Sequence, residues 1–212
     1  MIAKRISDVI CVAAFFVLIA MSVMSMMDEQ RLSYATNTGF FCAVFCLIPM
    51  ILRHAKLVTL PLAFVIMIEV AIFLHAYGVL LAQYDFIQTW DTVTHSISSI
   101  TVALCVFYAL MTIDHFDPKV NLTRKFMPLF IFLIMMTFAT YWEVFELVVD
   151  ELWDTNMQYS PWDSLRDLIC DTFGALVVSV YAYIYLGRHN EQEFIDNLEI
   201  HSSLVKIANS AE

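Results

Sequence analysis

Six apolar segments take up most of this 212-residue chain, at roughly Ile6–Met27, Tyr34–Leu52, Leu57–Ala82, Val93–Ile113, Phe126–Val149 and Leu165–Leu186. Each comes close to, or exceeds, the ~20 residues a helix needs to cross the hydrocarbon core of a bilayer. A chain inside hydrocarbon must satisfy its backbone polar groups internally, so spans of this length are helices. A membrane barrel would show ~10-residue stretches of alternating polarity instead, and the sequence has none. With 60% hydrophobic residues and a mean hydropathy of +0.73, little chain remains for a soluble domain. The expected fold is all-α, a polytopic six-transmembrane-helix bundle over residues 1–189. Residues 190–212 form a cytoplasmic tail, where Phe194, Leu198, Leu204, Val205 and Ile207 have the spacing of a short amphipathic helix.

Lys4 and Arg5 precede the first apolar run, as in a signal peptide. The run is longer than the 7–15 residues of a secretory h-region and no small-x-small cleavage site follows, so it is expected to remain as helix one. Proline punctuation agrees with the other spans. Pro61 and Pro128 fall in the first turns of spans three and five, and Pro49 is expected to help terminate span two. The five cysteines all lie within spans and are read as free thiols.

Basic residues orient the bundle. With the N-terminus inside, Lys4, Arg5, Arg53, Lys56, Lys119, Arg124, Lys125, Arg188 and Lys206 are cytoplasmic, and only Arg31 and Arg166 are outside. This positive-inside bias predicts a multi-pass inner-membrane protein with both termini in the cytoplasm. Trp90, Trp142, Trp153 and Trp162 then all fall near the outer boundary, where indole rings favour the interface. The loop from Asp150 to Ser164 is long enough to fold back as a lid or a short surface helix. Net charge is −10 and no basic stripe exists, which excludes nucleic acid as a partner. Membrane lipids are the expected surroundings.

Titratable residues gather at the outer ends of four spans: His75 with Gly78, Asp91 with His95, Glu143 with Glu146 and Asp150, and Asp163 with Asp167 and Asp171. The helical period stacks each group on one face. Local readings account for some of them. Asp91 can cap the next helix, Ser160-Pro161-Trp162-Asp163 reads as a capping box, and His75 can be a core histidine. Asp150, Glu151 and Asp154 can be a solvated loop. Capping does not explain Asp167 and Asp171, one and two turns further in, or Glu143 and Glu146. So many carboxyls cannot all ionise below the membrane surface without cations. Either several stay protonated, an arginine–carboxylate network forms with Arg166, or a metal is bound. His75, Asp91, His95, Glu143, Glu146, Asp163, Asp167 and Asp171 are the candidate ligands, expected in one pocket. Mixed histidine and carboxylate donors suit zinc, manganese or iron better than calcium.

Glu69 stands alone in mid-span, as a proton-carrying group or bonded to a neighbour such as the serine- and threonine-rich fourth helix. Because polar residues direct helix contact in lipid, spans three to six are expected to form the compact half of the bundle.

Three stretches resemble the YjdF-like family of small bacterial and archaeal inner-membrane proteins. They are Leu74-His75-Ala76-Tyr77-Gly78, the Asp91 to His95 start of the next span, and Tyr141-Trp142-Glu143-Val144-Phe145-Glu146 followed by Pro161-Trp162-Asp163, Asp167 and Gly174-Ala175. The similarity covers about residues 57 to 187. It implies that these residues form one site and implies no particular activity. Three functions remain open. The first is an intramembrane metal-dependent enzyme acting on a lipid or other amphiphile at the outer leaflet, with Glu143 or Asp167 as general base. The others are an ion- or proton-coupled transporter or metal-binding module, and an accessory structural subunit.

Overall fold

The computed structural model describes residues 2–27, 33–117, 119–189, 191–198 and 200. Among these the chain forms helices and no strand: α1 (Ile2–Met26), α2 (Ser33–Phe45), α3 (Ile48–His54), α4 (Leu62–Leu80), α5 (Gln83–Phe86), α6 (Trp90–Phe116), α7 (Met127–Trp153), α8 (Pro161–Tyr185) and α9 (Glu191–Leu198). Six stretches are long and apolar enough to cross a membrane, with α2 and α3 together making the second, Tyr34–His54. The all-α polytopic reading holds. Pro49 does not terminate span two. It sits in the first turn of α3, after a break at Cys46 and Leu47, so the span stops and restarts. Proline removes one backbone donor and crowds the preceding turn, which breaks the helix while the apolar sequence continues.

The contacts divide the chain into two compact units. The first runs to Trp90 and takes in the tail from Gln192; the second is Asp91–Glu191. Span three therefore groups with spans one and two, not with spans four to six as expected. The reason is steric: Ala43 and Ala76 are fully buried in one cluster with Leu18, Cys46 and Leu80, and small side chains let α1, α2 and α4 approach closely. Polar contacts add to this. Thr36 Oγ1 donates to Ser25 Oγ at 3.2 Å, and Arg53 Nε donates to Asp8 Oδ1 at 3.1 Å.

Gly78 ends the Leu-His-x-x-Gly stretch under two aromatic rings. A Cβ there would meet Tyr84 Cδ2 at 2.8 Å and collide with Trp90 Nε1, so any larger residue would have to displace both rings. In α9, Phe194, Ile195 and Leu198 are buried, and Leu198 O accepts from Thr59 N at 3.1 Å. The amphipathic pattern is thus present in the described part of the tail. Leu204, Val205 and Ile207 lie outside the described residues.

In the second unit one buried stripe changes chemistry along its length. On α7 it runs Met127, Ile131, Met135, Ala139, then Glu143 and Glu146. On α8 it runs Ala182, Ser179, Val178, Ala175 and Gly174, then Asp171, Asp167 and Asp163. The two helices are antiparallel, with Ser179 Oγ donating to Pro128 O at 3.0 Å, so both acidic ends lie together. Opposite faces carry exposed Phe130, Phe138, Ile169 and Phe173, as lipid contact requires. The start of α8 is built by Ser160, whose Oγ accepts from Asp163 N at 3.2 Å, with Pro161 at the first helical position. Ser160→Ala is expected to cost about 1 kcal/mol, the usual value of an N-cap, read as a lower midpoint of thermal unfolding in detergent.

Candidate metal centre

The site forms where α6 begins, α7 ends and α8 begins. Asp91 and His95 are one turn apart on α6, and His95 Nε2 lies 3.6 Å from Asp91 Oδ1. Asp167 comes from the first turns of α8. One ligand atom from each of Asp91, His95 and Asp167 lies within 4.8 Å of the other two. The second ring nitrogen, His95 Nδ1, faces Asp171 at 3.4 Å from both carboxylate oxygens. The Asp171 separations are those of a long, bifurcated hydrogen bond and the Asp91 separation is an ion-pair distance, so carboxylates hold the imidazole from both sides.

The glutamates flank this group. Glu146 Oε1 accepts from Trp142 Nε1 at 2.8 Å, and Glu146 is within electrostatic range of His95 and Asp91. Glu143 interacts with His95, Asp171 and the hydroxyl of Ser164. Gln158 Nε2 reaches back to donate to Glu143 O at 2.9 Å. Two buried carboxylate oxygens, Glu143 Oε1 and Asp167 Oδ1, have no hydrogen-bond partner among the described residues. A buried carboxylate oxygen without a donor is costly, and a cation is the complement that repays it.

Other candidate ligands have partners of their own. Asp163 is engaged at both oxygens: Oδ1 is paired with Arg166, and Oδ2 accepts from Tyr159 N at 3.3 Å. Its position is that of a cap and a rim ion pair. His75 belongs to the first unit, where its Nδ1 lies 3.0 Å from Tyr84 Oη. Asp150 organises the loop after α7. Its Oδ1 accepts from Thr155 Oγ1 at 2.6 Å and Met157 N at 2.7 Å, and its Oδ2 from Gln158 N at 2.9 Å. The loop, residues 154–160, folds back without forming a helix. Asp150→Ala is expected to free this loop and uncouple Gln158 from Glu143, seen as faster proteolysis at 154–160 with the spans intact.

The contacts of Gln158, Ser164 and Trp142 with the glutamate pair escaped the sequence reading. Trp142 had a signal, its i,i+4 offset from Glu146. Gln158 had none, because a loop must close before its side chain has a partner. The groups that act on Glu69 are the thiols of Cys46 and Cys11. The hydroxyls of Thr94, Ser96, Ser99 and Thr101 donate to carbonyls of their own helix.

Residues 10–188 match the family described as Predicted membrane protein (DUF2238), which fits a small membrane protein of the YjdF-like kind. No curated protein and no solved structure matches the chain. Since the match spans all six transmembrane segments in whole or large part and contains every residue of the site, the chain belongs to the DUF2238 family of membrane proteins.

Proposed function

We propose that the second unit binds one divalent ion, zinc, manganese or iron, through Asp91, His95 and Asp167, and works as an intramembrane metal-dependent enzyme on a lipid or other amphiphile. The observation that carries this reading is the convergence of those three side chains from two helices, with a carboxylate behind the imidazole. Metal-ligating histidines characteristically give their other ring N–H to such a carboxylate, which sets the tautomer. Asp171 stands in that place. A bound ion of this kind polarises a substrate oxygen and activates water. Glu143 supplies one buried carboxylate oxygen, Oε1, with no hydrogen-bond partner among the described residues, suited to take a proton from that water. Trp142 and Gln158 hold the glutamate pair in place, and the lipid-facing surface of α7 and α8 lets an amphiphile approach laterally.

The test is metal content and turnover together. Protein stripped of metal in detergent and re-equilibrated with Zn2+, Mn2+ or Fe2+ is expected to hold one ion per second unit. Glu143→Gln is expected to keep the ion and lose about 100-fold or more of metal-dependent head-group release from phospholipid vesicles. No bound ion, or undiminished turnover in the variant, would overturn the reading.

The orientation rests on charge: the acidic ends of α6, α7 and α8 lie opposite Lys119, Arg124, Lys125 and Arg188. In an inner membrane this puts the site at the outer face and both termini in the cytoplasm. A C-terminal reporter active in the periplasm would contradict it.

A further inference from the structure

The first unit holds a second cluster of a different chemistry. Glu69, on α4, is 5% exposed, and neither of its carboxylate oxygens has a hydrogen-bond partner of ordinary geometry among the described residues. Its polar neighbours are two thiols from two other elements, Cys11 of α1 and Cys46 at the α2–α3 break. Both cysteines are fully buried and free. Cys42, one turn before Cys46, is also buried and interacts with it.

Three features set this cluster apart from a tolerated buried acid. Thiols are weak donors and do not compensate a carboxylate for lost water. An acid at membrane depth without a strong partner is costly to keep. Irregular backbone within a span, as at Cys46 and Leu47, is characteristic of places where the break lines a site. Thiolates and a carboxylate together are donors that zinc accepts, and sulfur selects thiophilic ions over magnesium or calcium.

We propose that Cys11, Cys46 and Glu69 form a binding site for a thiophilic divalent cation of the zinc type. Binding releases the two thiol protons, so two thiolates balance the charge of the ion inside hydrocarbon, and Glu69 adds an oxygen ligand. Among the described residues the Asp91–His95–Asp167 ligand atoms alone lie within 4.8 Å of one another, so the Glu69 side chain and the two thiols draw together when the ion binds. The site does not depend on the centre in the second unit.

The probe is Cd2+, added to reduced, metal-stripped full-length protein in detergent. A thiolate-to-cadmium charge-transfer absorption saturating at one ion per chain, and displaced by Zn2+, is expected. Cys11→Ser and Cys46→Ser are each expected to abolish the band, and Glu69→Gln to weaken binding by at least about tenfold, while Cys105→Ser leaves both unchanged. Absence of the band in the wild type overturns the proposal. So does a band that survives either serine substitution at Cys11 or Cys46, or Glu69→Gln binding as tightly as the wild type. Should a serine variant not fold, alkylation of the wild type decides: labelling of Cys11 and Cys46 slowed at least about tenfold by Cd2+ supports the site, and equal rates overturn it.

Discussion

Replacing His95 by alanine is expected to weaken divalent-ion binding in the second unit by about 100-fold or more, measured by calorimetric titration of metal-stripped protein. The substitution removes the only imidazole of the Asp91–His95–Asp167 group and leaves two carboxylates of like charge as its remaining donors. Asp171→Asn is the more informative companion. Asp171 Oδ1 and Oδ2 both lie 3.4 Å from His95 Nδ1, where a carboxylate can only accept. That acceptor keeps the proton on Nδ1 and turns the Nε2 lone pair toward Asp91. An amide can instead present its own N–H, favouring the tautomer protonated at Nε2, and a loss of about 10- to 100-fold is expected without removal of a ligand. Asp163→Asn should change affinity little, because both Asp163 oxygens are already engaged by Arg166 and Tyr159 N. Wild-type affinity in His95→Ala would sink the assignment of this centre.

Gly174→Val is expected to damage the same site from a distance. Gly174 lies on α8 against Ser99 of α6, and a Cβ there would meet Ser99 Cβ at 2.8 Å and Ile100 N at 3.0 Å. The second contact is backbone and cannot rotate away. Overpacking a close helix contact costs about 1–3 kcal/mol, and a branched side chain belongs at the upper end. Relief comes through separating α6 from α8, the two helices that carry Asp91 and His95 on one side and Asp167 and Asp171 on the other. The midpoint of thermal unfolding should therefore fall and ion affinity fall with it, although no ligand has changed. Unchanged unfolding would show that the two helices do not need their close approach at this point. An additional Ser99→Gly change should recover part of the loss, since it removes the side-chain overlap and leaves the backbone one.

A physical line separates what is legible in the chain from what is not. The spans could be read because a bilayer sets one length and one hydrogen-bonding solution for each apolar run. The stripes Glu143–Glu146 and Asp163–Asp167–Asp171 could be read because a helix repeats every 3.6 residues whatever its neighbours. Even there, the Ser160–Asp163 capping box was visible locally, and the structure keeps its first half, with Ser160 Oγ accepting from Asp163 N.

Relations between helices were less accessible. Pro49 breaks span two instead of ending it, since the apolar sequence beyond it still has to cross. Span three groups with spans one and two because Ala43 and Ala76 permit a contact that polarity alone did not indicate. Glu69 meets Cys11 and Cys46, while the hydroxyls of span four turn back to their own carbonyls. Gln158 reaches Glu143 only after Asp150 has gathered the loop. The sequence by itself determined the number of spans, their boundaries to within a few residues, and the faces on which acids line up, all consequences of local periodicity and of hydrocarbon as a solvent. The tertiary structure alone decided that His95 turns one nitrogen to Asp91 and the other to Asp171. That choice depends on the approach of α6 to α8 at Gly174, and close packing between distant segments leaves no periodic mark on either one.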